Sequence, residues 1–290
     1  MTNVWSALSS HRGAVLALAC FSLLSGLVIL APWAAAHDPA QQYRDHLFVP
    51  PVWQPGGSWV FPLGTDDLGR DLWSRLLHGG RVSLLIGVTS VVAAWVPGIV
   101  LGLWAAFYPR AWGPLILRTM DVLLAVPGLL LAIGVVSVLG PGLLNTVVAI
   151  AVGSLPGSVR LTRACAMAEL AKDYVRATRM VGASTQRLMW VSVLPNCAAP
   201  LIVGATLSFS TAILEAATLG FLGLGVQPPT PEWGSMLSAS RDYLERAPWV
   251  VMWPGLFILI TVMSINLLGD GLRDALDPRW RGGSASPRYS

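Results

Sequence analysis

Charged side chains are scarce in this chain of 290 residues. Asp, Glu, Lys and Arg make up 12% of it, against about 25% in soluble domains. Hydrophobic residues make up 54%, and 13 tryptophans are among them. This composition excludes an ordinary water-soluble protein and favours one domain embedded in a membrane.

Lysine is nearly absent. The single lysine, Lys172, lies between Ala171 and Asp173. A phosphate-binding P-loop needs Gly-Lys-Ser or Gly-Lys-Thr after a glycine-rich turn, so this chain contains no P-loop. If its function requires ATP, a partner must hydrolyse the nucleotide, and we predict no cofactor in this chain itself.

Cysteine is also scarce. Cys20, Cys165 and Cys197 show no CxxC spacing, and their odd number supports neither a disulfide framework nor a zinc site. We therefore predict no metal site.

The chain lacks the polar groups that an intramembrane enzyme needs. A membrane-embedded protease or acyltransferase would require paired carboxylates or a His/Ser arrangement within its apolar runs. Glu215 is the one acidic residue deep in such a run, and all four histidines lie outside the runs. We predict no catalytic residue, and the absence of a basic run predicts no nucleic-acid partner.

Six apolar stretches are long enough to cross a bilayer, which takes about 17–25 helical residues. Residues 122–159 are too long for one crossing, and Gly140-Pro141-Gly142 divides them into a tight hairpin. The predicted fold is therefore an all-α integral membrane protein with six transmembrane helices. They lie at 14–36, 82–108, 122–139, 143–159, 198–226 and 249–269.

The first apolar stretch has a second interpretation. Ala34-Ala35-Ala36 resembles a signal-peptidase site, and Arg12 precedes the apolar run. Cleavage there would leave five spans. The run is longer than the roughly 7–15 residues of a usual signal sequence, which favours a true span.

The distribution of basic residues orients the chain. With the N-terminus inside, the inside segments hold 13 of the 19 lysines and arginines. We predict an N-in, C-in protein with a cytoplasmic N-terminus (1–13), a first outside loop (37–81), a five-helix core (82–279) and a flexible C-terminal tail (280–290).

The first outside loop ends in a predicted amphipathic helix. Leucines recur at helical spacing from residue 68 to 76, Thr65 or Asp66 can cap the helix, and Asp71 and Arg75 form an i, i+4 pair. We interpret this helix either as a plain interfacial anchor or as a docking element on the outer membrane surface.

A second outside loop, 227–247, carries three closely spaced prolines that restrict its backbone. It suits either contact with a periplasmic partner or a structural cap. The docking candidates from both loops are Asp66, Asp67, Arg70, Glu232 and Trp233.

Several residues near or within the spans predict local contacts. Asp121 follows Arg118 by three residues, which predicts an ion pair at the membrane surface. Gly98 and Gly102 form a GxxxG pattern that allows two helices to approach closely. Pro127 is expected to kink the third span.

A basic, helix-prone segment, 160–197, lies between the fourth and fifth spans on the inside. Asp173, Arg176 and Arg179 alternate with apolar residues, and Gly182 interrupts the pattern. This predicts two short helices with a bend. Such a pair suits insertion into a groove of a neighbouring protein, although a solvated helical loop is the alternative.

The same segment resembles the EAA loop of bacterial ABC importer permeases. That motif reads Glu-Ala-Ala, three residues, Gly, nine residues, Ile, one residue, Leu-Pro. Here Arg176 replaces the Glu, Thr178 the second Ala and Ser192 the Ile. The residues that match the motif are Ala177, Gly182, Leu194 and Pro195.

Four further stretches, at 64–71, 220–225, 228–234 and 269–278, resemble the C-type permeases of the dipeptide/oligopeptide/nickel importers, and most closely their dipeptide type. The resemblance implies a type I ABC importer permease of the bacterial inner membrane. It also implies a coupling helix in 160–197, called the coupling loop below, that docks on an ATPase. The coupling residues so implied are Asp173, Arg176, Ala177, Arg179, Gly182, Ala183, Leu194 and Pro195.

The implied partners are a second, B-type permease, two ABC ATPases that bind ATP and Mg²⁺, and a periplasmic binding protein. The implied cargo is a dipeptide or short peptide, with nickel, haem and antimicrobial peptides as alternatives. A carrier that works without ATP is a rival hypothesis, but it leaves the coupling loop unexplained.

Glu215 is the candidate for the translocation pathway. An ionisable group inside a span usually faces the bundle interior or water. Its carboxylate could meet the ammonium group of a peptide, or it could pair with a polar neighbour in a purely structural role.

Overall fold

We describe residues 11–276 of a computed structural model. The regular elements in this range are helices. In chain order they are α1 (Arg12–Ile29), α2 (Ala31–Ala34), α3 (Leu72–Phe107), α4 (Trp112–Leu124), α5 (Gly128–Leu139), α6 (Leu143–Leu170), α7 (Asp173–Met180), α8 (Thr185–Phe221), α9 (Trp233–Ser240) and α10 (Pro248–Leu276).

The membrane-crossing helices confirm the predicted fold class. Five helices are long and apolar enough to span a bilayer, namely α1, α3, α6, α8 and α10. Counted as one broken span, the α4–α5 pair, which is bent by 89°, brings the number of crossings to six. The predicted ends of the chain, most of 1–13 and all of 280–290, lie outside the described residues.

The bend between α4 and α5 lies where Pro127 was expected to kink a span. Pro127 has no N–H to continue the helix, and it disfavours helical geometry in the residue before it. The break therefore separates two helices rather than kinking one. The predicted hairpin at Gly140 and Gly142 is confirmed, because α5 ends at Leu139 and α6 begins at Leu143.

Helix α3 begins ten residues before the predicted second span. The predicted amphipathic helix is the first part of this one 36-residue helix and does not lie separately on the membrane surface. Leu72 and Leu76 are buried in the core, at 1% and 0% exposure. The leucine spacing therefore marks a core-facing stripe.

Two local predictions at the start of α3 are wrong. Thr65 and Asp66 do not cap it, because Asp71 is the N-cap and accepts a hydrogen bond from the Ser74 N–H at 3.1 Å. Only the Oδ2 atom of Asp71 is engaged there, and Asp71 forms no pair with Arg75. The Arg75 guanidinium instead lies 3.5 Å from the Asp66 carboxylate.

The coupling loop is shorter than predicted because the helices on both sides of it are longer. Helix α6 continues through the first residues of 160–197 and ends at Leu170. Helix α8 begins at Thr185, with a π-helical turn at Leu188–Val193 and a 3₁₀ turn at Leu194–Cys197 before the α-helical part. Only α7 and its two connections project from the spans.

Helices α3 and α6 pack against each other most extensively. A Cβ atom on Gly102 would lie 2.6 Å from Thr162 Cβ and 2.7 Å from the Val159 carbonyl oxygen. Only glycine fits at that distance, so the predicted close helix approach is confirmed. The predicted Asp121–Arg118 pair is wrong, because the Asp121 carboxylate pairs with Arg160 on α6.

Candidate functional site

Helix α7 is held at the tip of the coupling loop by a glycine turn. Gly182 has φ +88°, a backbone conformation that side chains rarely adopt. Its N–H donates to the Arg179 carbonyl, and the Ala183 N–H donates to the Thr178 carbonyl at 3.3 Å. These bonds end α7 in the manner of a left-handed C-cap. Ser184 then caps α8.

One side of α7 packs against α8. Val175 is 2% exposed and joins a hydrophobic cluster that includes Leu188, Met189 and Val193. At the other end of the helix, Met180 and Val181 are 82% and 89% exposed. The tip therefore presents apolar side chains to whatever surrounds it.

The predicted coupling residues fall into two groups. Asp173 and Arg176 form an exposed pair at 3.5 Å, and Ala177, Arg179 and Gly182 are exposed beside them. Ala183 and Leu194 are half-buried and pack against the cluster beneath α7, and Pro195 lies beside Leu194 in the 3₁₀ turn of α8. The first group forms the surface of the tip, and the second lies at its base.

A polar contact that the sequence did not reveal lies at the base of α7. The Glu169 carboxylate accepts hydrogen bonds from Lys172 Nζ at 2.6 Å and from the Tyr174 hydroxyl at 2.7 Å. Burial raises the pKa of Tyr174 to about 12, and the bond to Glu169 acts in the same direction. The spacing of Glu169 and Tyr174 follows no known motif, so the sequence alone gave no signal for it.

In the first outside loop, Asp66 organises a buried ionic cluster. Its carboxylate lies 2.6 Å from Arg70 Nε and also accepts the backbone N–H groups of Leu68 and Arg70. Asp66 is 5% exposed. Asp67 is more open, although burial, followed by the neighbouring Asp66 charge, raises its pKa.

Glu232 and Trp233 lie inside the fold. Glu232 is 1% exposed and accepts hydrogen bonds from the Gly234 and Ser235 N–H groups and from the Ser83 hydroxyl. Burial raises the pKa of Glu232, and the bonds from Gly234 and Ser235 oppose that rise. Trp233 is 0% exposed, and its indole N–H donates to the Leu76 carbonyl at 2.9 Å.

This burial corrects part of the docking prediction. The side chains of Asp66, Glu232 and Trp233 offer no surface to a binding protein, and they tie the two outside loops to α3 instead. Asp67 and Arg70 keep side-chain exposures of 27% and 11%. Ser83 was not predictable, because a serine inside an apolar run carries no distinctive signal.

Glu215 lies on α8 opposite the break between α4 and α5. A Cβ atom on Gly128, the first residue of α5, would lie 3.7 Å from Glu215 Oε1. Glu215 Oε2 is buried and has no hydrogen-bond partner within residues 11–276. The structural pair considered for Glu215 is therefore absent from the described part of the chain.

Comparison with known proteins identifies the family to which this chain belongs. Residues 98–282 match the model of the binding-protein-dependent transport system inner membrane component. The chain belongs to this family. Residues 1–51 match the N-terminal transmembrane domain of oligopeptide transport permease C, which supports a membrane span rather than a cleaved signal at α1.

Curated relatives of the permease cover nearly all of its length. The di/tripeptide transport system permease protein DppC of Pseudomonas aeruginosa is 61% identical, over 96% of this chain and 92% of the relative. The dipeptide transport system permease protein DppC of Escherichia coli K12 is 49% identical, over 96% and 93%.

Among solved structures, the inward-facing MetNI methionine ABC transporter superposes with a TM-score of 0.59. The match covers 71% of this chain and 98% of that chain at 19% identity, which shows a shared type I importer fold. The permease is thus a multi-pass inner-membrane subunit of an ABC importer. It is not an enzyme, since ATP is hydrolysed by the ATPase partner in this family.

Proposed function

We propose that this permease forms half of the membrane pathway of a dipeptide importer. Its partners in this proposal are a B-type permease, two ABC ATPases that bind ATP and Mg²⁺, and a periplasmic binding protein. The observation that carries the proposal is the 61% identity to a di/tripeptide permease across 96% of the chain.

The coupling loop faces the cytoplasm in this proposal, as the excess of basic residues in the inside segments indicates. The α7 tip carries Arg176 and Arg179 beside the exposed Met180 and Val181. This pattern suits a groove with an apolar floor and an acidic rim on the ATPase. Arg176 stands where the family motif has Glu, so the charge on the ATPase side is expected to be complementary to Arg.

Co-purification tests the assembly. A tagged chain, extracted in mild detergent, should bring down a second permease and P-loop ATPases, identified by mass spectrometry. Recovery of the chain alone, under conditions that hold other importers together, would contradict the proposal. ATP-dependent uptake of a labelled dipeptide by the reconstituted complex, with Ni²⁺, haem and longer peptides as competitors, then identifies the cargo.

Gly182 variants test the role of the α7 tip. Gly182→Trp adds bulk at a surface position and strains a left-handed residue, so we expect ATP hydrolysis without uptake. Gly182→Asn is the matched control, because Asn tolerates this backbone conformation better than other side chains. Normal coupling in the Trp variant would argue strongly against docking at this tip.

We also propose that Glu215 lines the pathway and meets the ammonium group of the peptide. Its support is that Oε2 is buried without a partner among residues 11–276, and that Oε1 lies beside Gly128 at the break. Glu215→Gln should lower dipeptide uptake while the complex still assembles on gel filtration. Unchanged uptake would exclude a pathway role.

Asp67 and Arg70 remain the candidates for docking of the periplasmic binding protein. The test is the affinity of the binding protein for the complex that carries Asp67→Asn, compared with the wild-type complex.

A further inference from the structure

The direction of α7 cannot be set by its own helical stability. It has eight residues, and isolated helices shorter than about 12–15 residues are marginal in water. Two residues, Ala171 and Lys172, join it to α6, and a glycine turn joins it to α8. Val175 is the one side chain of α7 that is buried. Polar contacts at its base must therefore contribute to its orientation.

Three side chains at that base form a cluster that we call the clasp, namely Glu169, Lys172 and Tyr174. Glu169 lies on the last turn of α6, is 8% exposed, and accepts from both of the others. Lys172 remains 56% exposed at its side chain. Tyr174 is 38% exposed, so both bonds are partly open to solvent.

The clasp also reaches α8. The Tyr174 hydroxyl oxygen lies 3.4 Å from the Ser192 carbonyl oxygen in the π-helical turn. The same carbonyl accepts from the Asn196 side-chain amide at 2.7 Å. The Tyr174 hydroxyl donates its one proton to Glu169 at the end of α6, so it lies against the Ser192 carbonyl at the start of α8 without a second hydrogen bond.

We propose that Glu169 and Tyr174 are positioning residues that tie α7 to α6 by a hydrogen bond while Val175 packs α7 against α8, so that a displacement imposed on α7 by an ATPase reaches α6 and α8 together. This inference rests on the proposed function of α7 as the coupling helix. Hydrogen bonds to ionised groups are stronger than neutral ones, which suits a contact that must transmit movement. Without it, α7 would pivot about Val175 and part of the displacement would be lost.

The clasp is separable from the fold. Leu188, Met189 and Val193 keep their packing when a hydroxyl is removed from the protein surface above them. Tyr174→Phe removes that one hydroxyl, and Glu169→Gln removes the charge while keeping the shape. Tyr108→Phe is the matched control, since the Tyr108 hydroxyl makes no hydrogen bond among the described residues and lies at the same membrane face in the proposed topology.

The test uses the complete complex, with its ATPases and binding protein, reconstituted in liposomes. Dipeptide uptake and ATP hydrolysis are measured on the same sample for wild type, the single variants and the double variant. We expect Tyr174→Phe to lower the number of peptides moved per ATP roughly five-fold or more, within the usual range of coupling between sites. Adding Glu169→Gln to Tyr174→Phe should lower the ratio by less than Glu169→Gln does alone, because the Glu169–Tyr174 bond is already lost and only the exposed bond to Lys172 remains to be weakened.

Hydrogen exchange gives a second readout that uptake cannot mimic. Amides of α7 should exchange faster in Tyr174→Phe than in Tyr108→Phe, while amides in the middle of α6 and α8 keep their protection. An unchanged peptide-to-ATP ratio in Tyr174→Phe, or a loss explained by dissociation of the complex on gel filtration, would overturn the clasp. A wild-type complex without ATP-dependent uptake would overturn the proposed function itself, and the clasp with it.

Discussion

Replacing Glu232 with Gln should destabilise the protein strongly, because Glu232 fastens α9 to α3. Its Oε1 atom accepts from the Gly234 N–H at 2.8 Å and from the Ser83 hydroxyl at 3.0 Å. Its Oε2 atom accepts from the Ser235 N–H at 2.8 Å. The Ser83 hydroxyl oxygen in turn accepts a hydrogen bond from the backbone N–H of Trp233 at 3.2 Å. Every group facing the carboxylate is therefore a donor.

An amide cannot satisfy this arrangement. Its oxygen can serve Gly234 and Ser83, but its NH₂ group then faces the Ser235 N–H. Converting two charge-assisted bonds to neutral ones and leaving two buried donors unpaired costs about 3–5 kcal/mol. Removing a buried charge returns part of that cost, since burial raises the pKa of Glu232. We expect Glu232→Gln to lower the free energy of unfolding by about 2–4 kcal/mol.

The measurement is thermal unfolding of the purified protein in detergent, followed by intrinsic fluorescence or by the loss of the monodisperse gel-filtration peak. At roughly 2–4 °C for each kcal/mol, the unfolding temperature should fall by roughly 5–15 °C. Glu245→Gln is the matched control, because Glu245 is exposed in the same outside loop. Equal unfolding temperatures for the two variants would refute the stabilising role of the Glu232 hydrogen bonds described above.

Two further substitutions test the helix contacts. Gly102→Ala should lower the free energy of unfolding by about 1–3 kcal/mol through overpacking against Thr162. Gly157→Ala is the control, because a Cβ there meets nothing within 4 Å, and it should leave the unfolding temperature nearly unchanged. Similar unfolding temperatures for both variants would contradict the close approach of α3 and α6. Asp121→Asn should cost less than about 1 kcal/mol, because its pair with Arg160 is solvent-exposed, and a larger drop in unfolding temperature would show that the pair is shielded.

Long apolar runs were the most predictable part of this protein, because a span needs little more than length and apolar character. The hairpin at Gly140 and Gly142 was predictable for a related reason, since glycine at positive φ interrupts a helix whatever surrounds it. Helix ends were harder to place. Residues 160–170 read as part of a polar loop, yet they continue α6 because Thr162, Ala166 and Glu169 form a buried stripe at helical spacing.

The side-chain partners in the two outside loops were not predictable from sequence spacing alone. Asp71 has an equally good i, i+4 partner in the sequence, but capping α3 uses its carboxylate. Glu232 looks like a loop residue suited to docking, and only the fold brings Ser83, 149 positions away, to its side. Local patterns identify which residue types can interact, while the packing of helices decides which of them meet.

Helix α3 runs from the outside of the membrane towards its inner face as one continuous helix that contains Pro97. Its 36 residues extend about 54 Å, whereas the hydrocarbon core is about 30 Å thick. The outside loops are bonded to its first turns through Asp71 and Glu232, and its far half packs against α6 at Gly102. A push delivered to the outer surface would therefore pass along α3, and Pro97, which removes one helical hydrogen bond, is the point where the helix would bend.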